Sequence, residues 1–261
     1  MIHPHALSHD VAQIGSEGRQ ALRRARVLIV GVGGLGTPAT LCLATAGVGT
    51  LGLIDGDVVE PSNLHRQILY RTTDIGRPKV AVAAERVRAL NSATTVHGFT
   101  QPLDAANLNE IFPHFDFVID GTDRIASKYL VNDGAVLHGI PFSHAGVLGF
   151  EAQTLTVVPR RSACVRCLFP EPPPPADVVT CNEAGVIGPV VGSIGIVQAI
   201  EALKAILGVG TLLTDRLLTY HGVRGSWRTV PLTRDRRCPV CGDGVTVQTL
   251  ETVADGTEDC L

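Results

Sequence analysis

Arg26-Val-Leu-Ile-Val30 runs directly into Gly31-Val-Gly33-Gly34-Leu-Gly36, and few folds accommodate that join. An unbroken apolar run of this length reads as a strand buried on both faces, as in a parallel sheet. Thr37-Pro38 opens a helix to about Ala46, with proline tolerated in the first turn. Gly47-Val-Gly49 closes it, and Thr50 to Ile54 is a second strand ending at Asp55. The unit is strand, glycine loop, helix, strand. Val27 to Ile54 carries no charge and is long enough to span a bilayer, but its glycines and Pro38 break it into these pieces. Ala184 to Ile200 is read likewise, as a buried helix with its approach loop.

The rhythm continues along the chain. Lys79 to Leu90 reads as an amphipathic helix ended by Asn91, and Thr94 to Phe99 as a strand. Phe117 to Asp120 is a strand ending in an acid, Ile125 to His138 a helix, and Pro141 to Gly146 another strand. Alternation of this kind predicts a doubly wound, mostly parallel α/β sheet of Rossmann-like type. After Glu151 the character changes. Ala152 to Val158 is a strand, Arg160 to Asn182 a loop containing Pro172 to Pro175, and Pro189 to Leu207 a buried helix. Leu217 to Pro231 alternates like antiparallel edge strands, so the sheet is expected to have an antiparallel C-terminal part. The chain is read as a single domain over residues 1–261. It has an N-terminal helical arm (1–26), a nucleotide-binding half (27–150) and a C-terminal half (151–261).

Composition narrows the function classes. With 45% hydrophobic and 18% charged residues the chain is not disordered. A net charge of −3 gives no electrostatic footprint for bulk nucleic acid or an anionic membrane. An aromatic content of 4% argues against base-stacking platforms. No cationic segment followed by an apolar run opens the chain, so it is expected in the cytoplasm, with its cysteines serving as metal ligands or reactive thiols.

The glycines of the first loop let backbone N–H groups approach a phosphate at a helix N-terminus. Asp55 stands where a ribose hydroxyl would be bound. Taken alone, this pattern fits a dinucleotide or ATP. The next segment favours a triphosphate. Asp55-Gly-Asp57 and Ser62-Asn63-Leu-His65-Arg66-Gln67 gather amides and a guanidinium in one short turn, and Lys79 brings an ammonium to the start of a helix. Arginine recognises phosphate oxygens with a fork, lysine with a point charge. Asp123, in Asp120-Gly-Thr122-Asp123, follows the fourth strand at a carboxyl end, where a carboxylate can hold Mg²⁺ while a nucleotide supplies the other oxygens.

Cys164-Val-Arg-Cys167 and Cys238-Pro-Val-Cys241 form two C-x-x-C pairs, and four thiolates so arranged satisfy tetrahedral Zn²⁺. Cys181 differs from these. It follows the proline run and precedes a glycine-rich helix entry, where a partly exposed thiol can have a lowered pKa.

The combination resembles the bacterial relatives of ubiquitin-activating enzymes, the adenylyltransferases of the HesA, MoeB and ThiF family. The resemblance runs from about Gly15 to Cys241. It rests on the loop 31–36, Ala46-Gly-Val-Gly49, Asp55, Ser62-Asn-Leu-x-Arg-Gln67, Pro78-Lys79, Thr122-Asp123, both cysteine pairs and Thr180-Cys-x-Glu-Ala-Gly-Val186. It implies ATP- and Mg²⁺-dependent adenylation of the C-terminal Gly-Gly of a small ubiquitin-like protein, often a sulfur carrier, by a homodimer. By motif position, Gly34, Asp55, Asn63, Arg66, Lys79 and Asp123 would serve ATP and Mg²⁺, and residues 151–261 would bind the carrier. Cys181 matches a position where some members form a covalent link to the carrier.

Two positions depart from the family pattern. The usual N-terminal Arg-Gln pair is Leu7-Ser8, and the Asn that usually follows Thr-Asp is Arg124. Arg124 is therefore a candidate triphosphate ligand acting within one chain. Two alternatives stay open: adenylation of a non-protein or peptide carboxylate on the same fold, or an idle homologue that only docks a carrier.

Overall fold

The computed structural model describes residues 14–174, 185–247 and 250. Its spine is a sheet of eight strands: β1 (Arg26–Val30), β2 (Thr50–Ile54), β3 (Thr95–Phe99), β4 (Phe117–Asp120), β5 (Phe142–Leu148), β6 (Glu151–Val157), β7 (Arg216–His221) and β8 (Ser226–Pro231). The spatial order is β3-β2-β1-β4-β5-β6-β7-β8. The first five strands run parallel, and β5 to β8 are antiparallel. The mostly parallel sheet with an antiparallel C-terminal part is therefore as the sequence reads.

Burial on both faces explains the apolar runs. Along β1, Val27 and Ile29 pack into one core with α2 (Gly36–Thr45), α3 (Lys79–Leu90) and the end of a long helix at Gly188–Leu207. Leu28 and Val30 pack into a second core on the opposite face. That core takes in α4 (Ala105–Ile111), α5 (Ile125–Leu137) and the cysteine pairs.

The sequence reading lacks α4. It is only seven residues long, too short to display a period, and Asp104 starts it: its carboxylate accepts from the N–H groups of Ala106 and Asn107, while the Asn107 side chain accepts from Asp104 N–H. A second short helix, α6 (Val165–Leu168), lies in the stretch read as loop and carries Cys167.

The long helix Gly188–Leu207, α7, is the one helix among the described residues long and apolar enough to cross a membrane. Here it is a core element, packed against α1 (Gly15–Arg24), α2 and strands β4 to β6. Two polar side chains on its buried face stitch it to the sheet. Gln198 Nε2 donates to the carbonyls of Asp120 and Ser143, and Glu201 accepts from Thr156 Oγ1 and Leu213 N–H. These bonds fix the rotation of the helix, because any other rotation would leave Gln198 Nε2 and the Glu201 carboxylate buried and unpaired.

Candidate active site and metal centre

The chain leaves β1 to one side, builds β2 and β3, and returns across the sheet to β4. The carboxyl ends of β1 and β4 therefore flank the switch point where open α/β sheets bind ligands. The loops after these strands meet backbone to backbone. Gly31 has φ +83°, and a Cβ there would lie 2.8 Å from the carbonyl oxygen of Gly121. A Cβ on Gly36 would come within 2.0 Å of the Gly31 carbonyl. Gly31 and Gly121 lie on the floor of a cleft of about 890 Å³.

Gly31, Gly33, Gly34, Asp55, Asp57, Arg66, Gln67, Lys79, Asp123 and Arg124 all line this cleft; Gly36 and Asn63 do not. Gly36 packs beneath the glycine loop. Asn63 is buried in the 3₁₀ turn Pro61–Asn63, where its Oδ1 accepts from Glu60 N–H at 3.4 Å. Cys181 falls outside the described residues, as do Leu7 and Ser8.

One wall is prearranged around Val32. Its N–H donates to Asp55 Oδ2 at 2.8 Å, and its carbonyl accepts from Tyr70 O–H at 2.7 Å. Asp55 Oδ1 accepts from Asp57 N–H at 2.9 Å, which leaves each carboxylate oxygen with a further lone pair. Burial pushes the Asp55 pKa above the usual carboxylate value, against the pull of Lys79. Lys79 begins α3 and is itself buried; its Nζ meets Asp57 Oδ2 at 2.6 Å, with the Asp57 side chain mostly exposed. A phosphate entering the cleft would share this ammonium with Asp57. Arg66 donates to the Ser62 carbonyl, which orients its guanidinium. Gln67 is buried, and its Oε1 has no hydrogen-bond partner among the described residues.

The opposite wall is built on a charged cluster. Asp120 ends β4 with no exposure, taking His144 Nδ1 at 2.8 Å, Thr122 Oγ1 at 2.6 Å and Lys128 Nζ at 3.4 Å. Burial raises its pKa, but Lys128, His144 and Thr122 together prevail and hold it at about 2. Burial lowers the His144 pKa, against the pull of Asp120. Asp123 and Arg124 stand just above, both exposed. Sequence reasoning missed Lys128 and His144. Lys128 is one helical turn past Arg124, and His144 is on the neighbouring strand, so neither shares a motif with Asp120.

The cleft then continues over the antiparallel strands, which no motif announces. Gly146, Gln153, Thr219 and Arg228 occupy successive register positions from β5 to β8, and all four line it.

The four paired cysteines converge on the other face of the sheet. Their sulfurs all lie within 4.8 Å of one another, with Sγ separations of 3.9 Å (Cys164–Cys167), 3.7 Å (Cys164–Cys238) and 3.4 Å (Cys167–Cys241). Sulfurs about 2.3 Å from a tetrahedral zinc would be roughly 3.8 Å apart, so the donor set fits Zn²⁺. Outer groups support it. Asp235 N–H points to Cys167 Sγ, Arg234 donates to the Cys241 carbonyl, and Asp133 on α5 holds Arg166 between the first pair with two oxygens.

The ThiF family matches residues 7–240, nearly the whole chain. The chain belongs to the ThiF family. It is thus an enzyme of the ubiquitin-activating adenylyltransferase type, the group its motifs resemble. It is similar to the sulfur carrier protein adenylyltransferase of Thermus thermophilus, with 44% identity covering 91% of this chain and 90% of that protein. It is also similar to the SAMP-activating enzyme E1 of Haloferax volcanii, with 42% identity over 95% of this chain and 91% of that protein. It spans about half of the Aspergillus clavatus adenylyltransferase and sulfurtransferase uba4, at 44% identity and 95% of this chain. Among solved structures, Escherichia coli MccB with ATP superposes with a TM-score of 0.75 over 86% of this chain and 68% of MccB; at 24% identity this speaks to the fold.

Proposed function

We propose that this protein uses ATP to adenylate the C-terminal Gly-Gly carboxylate of a small ubiquitin-like sulfur-carrier protein, releasing pyrophosphate. The observation that carries the reading is the shape of the cleft. Phosphate-binding glycines, Arg66, Lys79, Arg124 and Asp123 meet at the switch point, and the same cleft opens onto the β5–β8 face, where an extended tail can lie. The 42–44% identical relatives with carrier-activating names support the choice of substrate.

The division of labour follows from charge. A carboxylate must attack the α-phosphorus of an anionic nucleotide, so the site has to offset repulsion and hold the two in line. Gly33 and Gly34 would take phosphate oxygens on backbone N–H groups, and Asp55 the ribose. Arg66 and Lys79 would neutralise the triphosphate. Asp123 would hold Mg²⁺, which supplies further charge neutralisation at the phosphates. No protein nucleophile is needed for this step. Cys181 belongs to any later covalent transfer, residues 151–261 to carrier binding, and a homodimer is the assembly we expect.

The reading is tested by ATP–pyrophosphate exchange. Exchange should require a carrier with an intact Gly-Gly end and disappear with a carrier lacking the last glycine. Equal exchange with both carriers would remove the tail from the reaction.

Arg124 offers a sharper check. It occupies the N-cap of α5 in extended backbone and makes no capping hydrogen bond there. A cation at a helix N-terminus opposes the helix dipole, and Asn is among the best N-caps. Arg124→Asn should therefore supply a better N-cap. If Arg124 binds the triphosphate, the same change should weaken ATP binding by about 1.5–3 kcal/mol, the worth of a hydrogen bond to a charged group. Calorimetric titration with unchanged ATP affinity would remove Arg124 from the nucleotide site.

A further inference from the structure

Lys128 lines the nucleotide cleft but has no donor left for a ligand. An ammonium carries three N–H bonds. The structure supplies three acceptors: the carbonyls of Thr122 and Ala145, each at 2.6 Å, and Asp120 Oδ2 at 3.4 Å. These acceptors belong to the loop after β4, to β5 and to the end of β4. Thr122 is gripped from both sides, because its N–H and Oγ1 also donate to Asp120 Oδ1, at 3.1 and 2.6 Å. His144 completes the cluster from the adjacent strand.

Asp123 is the next residue, and its carboxylate accepts no hydrogen bond from the described residues. Its position is therefore set by its backbone, and that backbone is set by Thr122. A buried ion pair is a poor way to add stability, since apolar groups of the same volume generally do as well or better. A charged clamp beneath the one carboxylate that must meet an incoming cation has a different use.

We propose that Lys128 is a positioning residue for the adenylation step. With Asp120 and His144 it clamps residues 121–123, so that Asp123 is presented to the metal–nucleotide complex without reorganisation. The inference rests on the assignment of Asp123 made above. Lys128 itself touches neither ATP nor the carrier.

The test compares Lys128→Met with the double variant Asp120→Asn/Lys128→Met. The single change strips the buried Asp120 of its main counter-charge and can unfold the protein; the double change leaves the cluster neutral. Folding is followed by circular dichroism and thermal melting. In the folded variants, kcat for carrier-dependent exchange should fall about 10- to 100-fold, the cost of a small misplacement of a reacting group. KM for the carrier should move less than about threefold, because the carrier's own contacts are untouched. The Mg²⁺ concentration that half-saturates ATP binding, measured by calorimetry without carrier, should rise. A folded double variant with wild-type kcat and an unshifted Mg²⁺ dependence overturns the clamp. Asp123→Asn in the same assays separates the two claims. If it retains exchange, the Asp123 assignment itself falls; if it abolishes exchange while the Lys128 variants behave as wild type, only the clamp falls.

Discussion

Asp123→Asn is expected to leave the fold intact and to lower carrier-dependent ATP–pyrophosphate exchange by about a hundredfold or more, the scale on which a transition-state charge partner acts in a shielded site. The two parts of this expectation have separate causes. Asp123 is exposed and makes no side-chain hydrogen bond with the described residues, so the isosteric amide costs the folded state little. In the cleft, the change removes a carboxylate that lines the β4 side beside Arg124, and with it the charge that would bind Mg²⁺. Asp120 cannot substitute: it is fully buried, and Lys128, His144 and Thr122 occupy its oxygens. A well-folded Asp123→Asn protein with near-normal exchange would take Asp123 out of the mechanism.

Stripping the metal from the four-cysteine centre is expected to have the largest effect on stability. Structural zinc sites bind with apparent free energies of about 10–16 kcal/mol near neutral pH. The whole net stability of a domain is about 5–15 kcal/mol. The centre also ties distant parts of the chain together. Cys164 and Cys167 follow β6, whereas Cys238 and Cys241 follow β8, and Cys164, Cys238 and Cys241 are core residues beside Phe142, Leu155 and Val157. Without metal, four thiolates confined within 4.8 Å would repel, and reprotonated thiols would leave a loosely packed core. Purified protein should contain one zinc per chain, with the paired cysteines protected from alkylation. Strong chelation, or Cys238→Ser, should produce loss of tertiary structure in the C-terminal half at ordinary temperature. Protein that is metal-free yet melts as the zinc-loaded form does would show that the centre is not structural.

Much of this architecture is legible in the sequence because burial on both sides of a sheet leaves a plain mark. Val27 to Val30, Leu51 to Ile54 and Phe117 to Ile119 are continuous apolar runs, each closed by a glycine loop or an acid at its carboxyl end. The ligand-facing groups Gly33, Gly34, Asp55, Arg66, Lys79 and Asp123 are legible for a related reason. All but Arg66 sit just past a strand or at the first turn of a helix, so their place in the chain is also their place in the cleft; Arg66 stands on the turn that follows Pro61–Asn63. Gly36 and Asn63 share those motifs but serve the backbone: one clears space for the Gly31 carbonyl, the other shapes the turn that carries Arg66.

The remainder is written across the fold, not along the chain. Asp120, Lys128 and His144 come from three elements and meet only when β4 and β5 pair. The row Gly146, Gln153, Thr219 and Arg228 exists only through antiparallel register, and polar residues scattered over four strands carry no local signature of a binding surface. Helix α4 is hidden by its length, although Asp104 with Asn107 three residues later is a readable start signal.

The central claim is that the carrier's own terminal carboxylate becomes bonded to AMP. The most direct measurement incubates the protein with Mg²⁺, ATP labelled at the α-phosphate, inorganic pyrophosphatase and a ubiquitin-like carrier ending in Gly-Gly, and follows the label on the carrier. The expected result is label on the intact carrier that is released as AMP by hydroxylamine, with none on a carrier lacking its last glycine and none when Asp123 is Asn. Pyrophosphate release with the label appearing on another acceptor, or a wild-type protein that binds the carrier and never labels it, would contradict the claim.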